Sequence, residues 1–289
     1  MRVVVVGSVN LDLVARVDRL PGCGDTVAAT GYHRVPGGKG ANQALAARRL
    51  GGPLGLEVAL LAAVGADDAA DEALALLAAD GVDLAGVRRI PDAPTGVALI
   101  TVDSAGDNTI VVVPGANAGL TLAGRESAGE LAGADAVLCQ LEVPMDTVAA
   151  AAAAAAPDAL FCLNSAPAAP VPQAVLDRAD LVVANRAEYA AVPGLDRARL
   201  VAVTAGAEGA VLREDAREVA RAEPPAVAAV DGTGAGDAFV GALVVGLLAG
   251  LDRHAALRRA CVAGAVAASR PGAQPSLPWP ADVTALERA

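Results

Sequence analysis

The sequence predicts an α/β fold: a mostly parallel central sheet with helices on both faces, and a small β-sheet projecting from it as a lid. Three observations carry this reading. Residues 3–6 are an unbroken valine run, the pattern of a strand buried on both faces. In the second half of the chain, short apolar runs alternate with helical stretches, as parallel crossovers require. Earlier strands at 97–102 and 109–113, joined by the turn-rich 103–108, read as a hairpin and do not fit a parallel sheet.

Composition narrows the class further. The chain has 289 residues, 54% hydrophobic and 19% charged, enough apolar material to exclude disorder as the main state. The length suits one domain over 1–289, with no linker and no internal repeat. Lys+Arg 22 against Asp+Glu 33 leaves a net charge of -11. That balance argues against nucleic acid or an anionic membrane as partner. It does not exclude a phosphate held locally by backbone N–H groups and a metal ion. The first residues do not read as a targeting segment, because the apolar run ends at Gly7 and Ser8. The apolar stretch 238–251 is too short for a membrane span and contains Gly241, Gly246 and Gly250. Cys23, Cys139, Cys162 and Cys261 have no metal-binding spacing and read as reduced thiols of a cytoplasmic protein.

After the valine strand, residues 13–14, 17, 26–30 and 32–35 read as short strands around a turn at 21–25. A glycine-rich loop at 37–40 opens a helix over about 41–50. A buried strand over 58–64 ends at Gly65, and a helix over 68–80 stops at Gly81. Strands at 136–140, 160–164, 181–184 and 201–204 follow, with helical segments between most of them, including the alanine run 149–156. Two helices, about 236–249 and 254–269, close the chain. The lid is built from parts of about 11–35 and 95–113.

The strongest chemical signal is the string Asp231, Gly232, Thr233, Gly234, Ala235, Gly236, Asp237, Ala238, Phe239. Small residues before an apolar helix expose successive N–H groups at its start, which with the helix dipole form an anion hole. Asp237, in the first turn, stands where a carboxylate can take a proton from an attacking hydroxyl. The plainer alternative, a turn followed by a capping acid, fits a bare glycine motif but not the whole string. Asn10, Asp12, Asn42 and Glu142 offer the short polar groups that sugar hydroxyls need, although Asn10 and Asn42 taken singly are equally turn or cap residues. Asn185 and Glu188 share one side of a helical turn. They suit a hydrated Mg²⁺ or, just as well, a helix-capping box.

The string 231–239 resembles the C-terminal signature of the ribokinase-like, or phosphofructokinase B, carbohydrate kinases. The resemblance extends over nearly the whole chain. Gly7 to Asp12 is similar to the family's first strand and sugar-binding turn, and Gly37 to Gln43 to its N-terminal signature. Asn185 to Glu188 is similar to its NxxE motif, and Thr204 to Gly209 to its nucleotide-binding turn. Residues 95–100 (TGVALI), Gln140 to Glu142, and 272–276 (GAQPS) extend the likeness.

The resemblance implies a three-layer α/β/α sandwich with a β lid, pairing as a homodimer through the lid. It implies ATP-dependent phosphorylation of D-ribose at the 5-hydroxyl, with Asp237 as base and the amides of Gly234, Ala235 and Gly236 as anion hole. The sugar would be held by Asn10, Leu11, Asp12, Gly38, Lys39, Gly40, Ala41, Asn42, Glu142 and Asp237. ATP would lie on Asn185, Thr204, Ala205, Gly206, Ala207, Glu208, Gly209, Gly236 and Asp237, with Cys261 beside the adenine. Mg²⁺ would be served through water by Asn185 and Glu188. K⁺ would be bound by Asp231, Thr233, Ala267, Arg270, Gly272 and Ser276.

Three positions depart from the family pattern. Gly232 stands where a threonine is usual, and Cys261 where a polar residue flanks the base. The crossover at 189–200 is short and broken by Pro193 and Gly194, which predicts a shortened helix or a loop and a thinner cover there. Alternatives are a kinase of the same fold for fructose, deoxyribose or a nucleoside such as adenosine, and a non-catalytic sugar- or nucleotide-binding regulator. A dinucleotide oxidoreductase is disfavoured, since no G-x-G-x-x-G follows the first strand.

Overall fold

The structure, a computed structural model, describes residues 1–122 and 125–288. The chain opens with β1 (Arg2–Val6), followed by β2 (Asn10–Arg16) and β3 (Gly31–Gly37). Helix α1 (Lys39–Gly51) leads to β4 (Glu57–Gly65), and α2 (Asp68–Ala79) to β5 (Val87–Ile90). β6 (Gly96–Val102) and β7 (Asn108–Val113) form a hairpin. Then α3 (Arg125–Ala132) precedes β8 (Ala136–Gln140), α4 (Met145–Ala154) precedes β9 (Leu160–Asn164), and α5 (Gln173–Arg178) precedes β10 (Leu181–Asn185). Helix α6 (Arg186–Ala191) leads to β11 (Leu200–Thr204) and a hairpin of β12 (Ala210–Glu214) and β13 (Arg217–Ala222). Helices α7 (Ala235–Leu248), α8 (Arg253–Ala268) and α9 (Pro280–Glu287) complete the described chain.

The strands form a nine-stranded sheet, ordered β13-β12-β11-β10-β9-β8-β1-β4-β5, and a four-stranded sheet, ordered β3-β2-β6-β7. β1 pairs in parallel with β4 on one side and β8 on the other. The chain therefore leaves the centre in opposite directions after β1 and after β8. A crevice at the carboxyl ends of those two strands follows from this reversal. Each valine of β1 serves one face: Val3 and Val5 join the core under α1, α2, α7 and α8, and Val4 and Val6 the core under α4 and α5. The second sheet is the lid. Its β2 leaves the crevice directly, and β6 lies parallel beside it.

Several sequence expectations need correction. Residues 26–30 form no strand; of that stretch only Thr30 donates a backbone hydrogen bond to β2, at Arg16. Its small residues gave an extended look without an apolar face to bury. β5, β12 and β13 do not stand out as strands in the sequence because arginine and glutamate interrupt them. The β12–β13 turn also lacks a glycine, although Asp215 and Ala216 both adopt positive φ, at 48° and 63°. A third closing helix, α9, starts at Pro280, with the Asp282 carboxylate accepting from the Trp279 N–H at 2.8 Å. The short crossover is as the sequence suggests: α6 spans six residues, none of them buried, before a single 3₁₀ turn at Leu195–Arg197.

One packing contact places the chemistry. Helices α1 and α7 lie against each other through Ala46, Ala47 and Gly241; a Cβ added at Gly241 would stand 2.7 Å from the Cβ of Ala46. One helical turn back on each lie Asn42 and Gln43, and Asp237. The missing methyl at Gly241 thus sets how near two amides come to the carboxylate. Gly241→Ala is expected to cost about 1–3 kcal/mol through overpacking. Gly236→Ala, where an added Cβ meets nothing within 4 Å, should leave stability unchanged or raise it slightly. Denaturant unfolding of both variants checks the contrast.

Candidate active site

The crevice is lined from β1, β2, α1, the end of β8 and the start of α7. After β1 the chain bends past Ser8, whose hydroxyl donates to Glu142 Oε2 at 2.6 Å. The same oxygen accepts the Lys39 N–H at 3.0 Å. Glu142 therefore joins the β1 exit, the glycine loop and the β8 exit. Gly38 and Gly40 are glycine for steric reasons: Gly38 has φ 87°, and a Cβ at Gly40 would meet the Gly7–Ser8 backbone at 2.5 Å.

Asn10 and Asp12 start β2 and are buried. Asn117, from a 3₁₀ turn at Gly115–Gly119, accepts the Val9 N–H at 2.9 Å and donates to Asn10 Oδ1 at 2.8 Å. This fixes the flip of Asn10 and frees its Nδ2 for the crevice. Room for these side chains comes from Gly96, whose Cβ would lie 2.2 Å from Asn10 Oδ1, and Gly37, whose Cβ would lie 2.3 Å from Asp12 Oδ2. Burial, then Glu142 and Asp237, push the Asp12 carboxyl up to about 7, while Lys39 pulls the other way. No hydrogen bond reaches that carboxylate among the described residues. Leu11 is buried on the far face of the strand, and Ala41 packs in the core, so neither presents a polar side chain to a ligand.

Asp237 is 7% exposed. Its Oδ2 accepts from Asn42 Nδ2 and its Oδ1 from Gln43 Nε2, each at 2.8 Å. Burial raises its pKa; Lys39, Asn42 and Gln43 oppose the rise without cancelling it. Asn42 Oδ1 is buried with no protein partner among the described residues. For Lys39, burial lowers the pKa, but Asp237, Glu142, Glu188 and Asp12 together hold it above the ordinary lysine value.

The helix start differs from expectation at one amide. Gly234 has φ 79° and closes a turn in which Ala235 N–H donates to the Gly232 carbonyl at 3.2 Å. The amides of Gly234 and Gly236 have no protein acceptor among the described residues, so they, and not Ala235, are free for an anion. Asp231 accepts from Thr233 N–H and Gly272 N–H, both at 2.9 Å, tying the loop before α7 to the loop after α8. Burial raises its pKa, but these bonds win and hold it below the usual carboxylate range. The Ala267 carbonyl accepts Arg270 N–H, and Ser276 Oγ donates to the Ala273 carbonyl, so the loop after α8 is held by local hydrogen bonds.

Farther out, Asn185 and Thr204 are register partners at the ends of β10 and β11. Asn185 and Glu188 form a reciprocal capping box, each bond 2.8 Å. The local structural alternative is therefore realised, with Glu188 Oε1 left over. The turn from Thr204 through Ala205, Gly206, Ala207 and Glu208 to Gly209 is tight. Gly209 is required by the hairpin, since its Cβ would lie 2.1 Å from the Ala222 carbonyl. Glu208 pairs with Arg186 on the surface, which takes its carboxylate away from the crevice. Cys261 is 5% exposed and its thiol donates to Ala222 O at 3.6 Å; burial pushes it up to about 11. It is a core residue with little face to offer a base. Ser8 after β1, Gln43 on α1, Asn117 in the 3₁₀ turn, and Gln140 and Asn164 at the ends of β8 and β9 are further buried polar side chains to which the sequence alone assigns no role. For Gln140 and Asn164, a polar residue ending an apolar strand is the available signal.

Among the described residues, no group of three or more His, Cys, Asp or Glu is arranged to hold a metal ion. No helix among them is long and apolar enough to cross a membrane.

A buried carboxylate beside helix-start amides and polar side chains suits a phosphotransferase of the carbohydrate-kinase class. Residues 1–280 match the family model for pfkB family carbohydrate kinases, and the chain belongs to that family. The chain is 37% identical over 292 residues to the ribokinase of Bacillus subtilis (strain 168), covering 98% of each. Its structure is similar to that of ribokinase from Thermotoga maritima, with TM-score 0.88 and 29% identity, covering 99% of each chain. It is likewise similar to Arabidopsis thaliana ribokinase complexed with ribose and ATP: TM-score 0.89, 28% identity, 99% of this chain and 98% of that one. The fold is ribokinase-like.

Because the folded chain holds the Asp12 proton more tightly than the unfolded chain, Asp12 removes stability as pH rises from about 4 through about 7. Asp12→Asn should therefore raise the melting temperature at pH 8 by about 2 °C or more. The gain should vanish at about pH 3 and below, where the carboxyl is protonated in both the folded and the unfolded chain. Thermal melts across pH test this; an equal gain at both ends would contradict it.

Proposed function

We propose that the chain is an ATP-dependent kinase that phosphorylates D-ribose on its 5-hydroxyl. One observation carries the reading: the crevice holds several polar groups without protein partners, and all of them complement hydroxyls. They are the Asp12 carboxylate and Asn42 Oδ1 as acceptors and Asn10 Nδ2 as donor. A polyol satisfies such a set; an apolar ligand would leave it orphaned. Similarity to ribokinases along the whole chain supports the sugar.

Asp237 would take the proton from the sugar hydroxyl as that oxygen attacks the terminal phosphorus of ATP. The new oxygen–phosphorus bond forms as the bond to the bridging oxygen breaks, and that electron pair leaves with ADP. A raised pKa suits a general base working near neutral pH. The free amides of Gly234 and Gly236 would stabilise the phosphoryl charge, and Lys39 would position it. Most of the acceleration would come from placement and fixed dipoles. The adenosine moiety would lie along the 204–209 turn toward α8.

The donor sets fit the two cations the reading calls for. Glu188 Oε1 remains available to waters around Mg²⁺, an ion that keeps several waters and neutralises phosphate charge. The ionised Asp231, the carbonyls of Thr233, Ala267, Arg270 and Gly272, and Ser276 offer oxygens to K⁺. The reading also places the enzyme in the cytoplasm, where Cys139, Cys162 and Cys261 stay reduced.

A homodimer through the lid belongs to the same proposal. All six residues of β7 are exposed, including Ile110, Val111, Val112 and Val113, and Leu99 pairs directly with Val111. An open, apolar edge strand of this kind asks for a partner.

The central experiment is ATP consumption across a sugar panel, with and without K⁺, with the product located by NMR. D-ribose should exceed fructose, 2-deoxyribose and adenosine, give the 5-phosphate, and turn over faster with K⁺. Asp237→Asn should lower kcat by a factor of roughly 10² or more with modest change in sugar affinity. Near-normal turnover would remove Asp237 as base. Sedimentation should show a native dimer, and the double variant Leu99→Lys/Val111→Lys should be a monomer at the same micromolar concentration.

A further inference from the structure

Below Asp237 lies a set of buried amides that the transfer step itself does not use. Gln43 Nε2 donates both to Asp237 Oδ1 and to Asn164 Oδ1, each at 2.8 Å. Gln43 Oε1 accepts from Gln140 Nε2 at 2.7 Å. Asn164 Nδ2 in turn donates to the Val183 carbonyl at 3.0 Å. Gln43 and Gln140 are fully buried, and Asn164 nearly so.

Each bond in this chain fixes the next. Val183 offers only a carbonyl, so Asn164 must present its nitrogen there and its oxygen to Gln43. Gln43 then needs its nitrogen toward Asn164, and its oxygen is claimed by Gln140. Only one flip of the Gln43 amide satisfies all partners, and that flip aims an N–H at Asp237. With Asn42 on the other oxygen, the carboxylate is held at two points and cannot rotate without losing a donor.

The backbone is shaped around this chain. A Cβ at Gly7 would lie 2.0 Å from Gln140 Oε1, so the residue after β1 is cut back to admit Gln140. That oxygen is buried with no partner, a cost a methionine or leucine at 140 would not carry. The arrangement gives up packing stability while fixing one amide.

We propose that Gln43 is the positioning residue of Asp237, and that Gln140 and Asn164 act by holding the Gln43 amide in its donating flip. The inference rests on the kinase reading. Gln43 sets both the angle of the base and how strongly its anion is favoured. The charged groups facing Asp237 are Lys39 from α1, Glu142 after β8 and Asp12 from β2, and changes at 43 or 140 leave all three in place.

The test uses Gln43→Met, Gln140→Met and the double variant in the full chain, with circular dichroism as a check of folding. In Gln43→Met, kcat should fall about tenfold or more while the ribose KM stays within about threefold. The acid limb of the kcat–pH profile should move up by about half a unit or more, because the anion loses a donor. Gln140→Met should shift the limb in the same direction by less. The double variant should match Gln43→Met, since Gln140 has no route to Asp237 except through Gln43. A second measurement needs no turnover: the Asp237 carboxyl ¹³C titration, without substrates, should move upward in Gln140→Met. This variant keeps Gln43, so it carries the test even where Gln43→Met does not fold. Profiles and titrations that superpose on the native chain would overturn the proposal, as would additive effects of 43 and 140. Failure of the kinase reading looks different, because the native chain would then turn over no sugar while the titration shift persists.

Discussion

The site depends on one constraint: a carboxylate has been taken out of water and must be kept both ionisable and oriented. Burying an acid this far favours its neutral form and would make it useless as an anion without compensation. The compensation for Asp237 comes from one ammonium, Lys39, and two side-chain amides, Asn42 and Gln43, all from the first two turns of α1. They reach it only because α1 and α7 touch through alanine and glycine one turn farther on. Small residues in two helices, which look like a packing detail, therefore control the proton affinity of the Asp237 carboxylate.

The same economy governs the rest of the crevice. Of 22 basic residues in the chain, Lys39 is the sole lysine, and the fields of Asp12, Glu142, Glu188 and Asp237 converge on it. An ammonium is a compact charge that can stand among several carboxylates, whereas a planar guanidinium pairs best with one of them face to face. Arginine fills that second role on the surface, as in the forked pairing of Arg186 with Glu208. Moving one charge in the crevice changes the balance of all the others, which is why Asp12 sits near neutrality in its titration while Asp231, outside the cluster and bonded to two backbone amides, stays acidic.

Much of this was legible in the sequence, and the parts that were not share a cause. The valine run, the strand–helix alternation and the hairpin gave the sheet and the lid, because apolar periodicity reports burial directly. The string 231–239 gave the start of α7 with a carboxylate in its first turn, because small residues before an apolar run mark a helix start. Sequence could not show that Ala235 turns its amide back to Gly232, since that depends on the left-handed Gly234 alone. Nor could it choose between a cation ligand and a capping box for Asn185 and Glu188, whose spacing serves both. Gln43 stood inside a recognised motif without a role, because a glutamine's partners lie at residues 140, 164 and 237, far along the chain. β12 and the edge strand β13 are not legible for a different reason: arginine and glutamate interrupt their apolar residues, so the alternation is too weak to read as strand.

The net charge of -11 also needs a physical account beside a site proposed to take a polyanion. Exposed carboxylates act on an approaching nucleotide through water and salt, and beyond about 8 Å they are largely screened. Inside the crevice the count is local. It holds the amides of Gly234 and Gly236, which have no acceptor among the described residues, a helix start and Lys39, all of them positive or donor in character. The acids at the same place are each engaged or raised: Glu142 with Ser8 and Lys39, Asp237 with its two amides, Asp12 near neutrality. In the proposed kinase, anion binding would thus be a property of which few groups lose their water together. An acidic surface would slow the encounter without opposing the bound state, and a neutral sugar would enter the crevice unaffected by it.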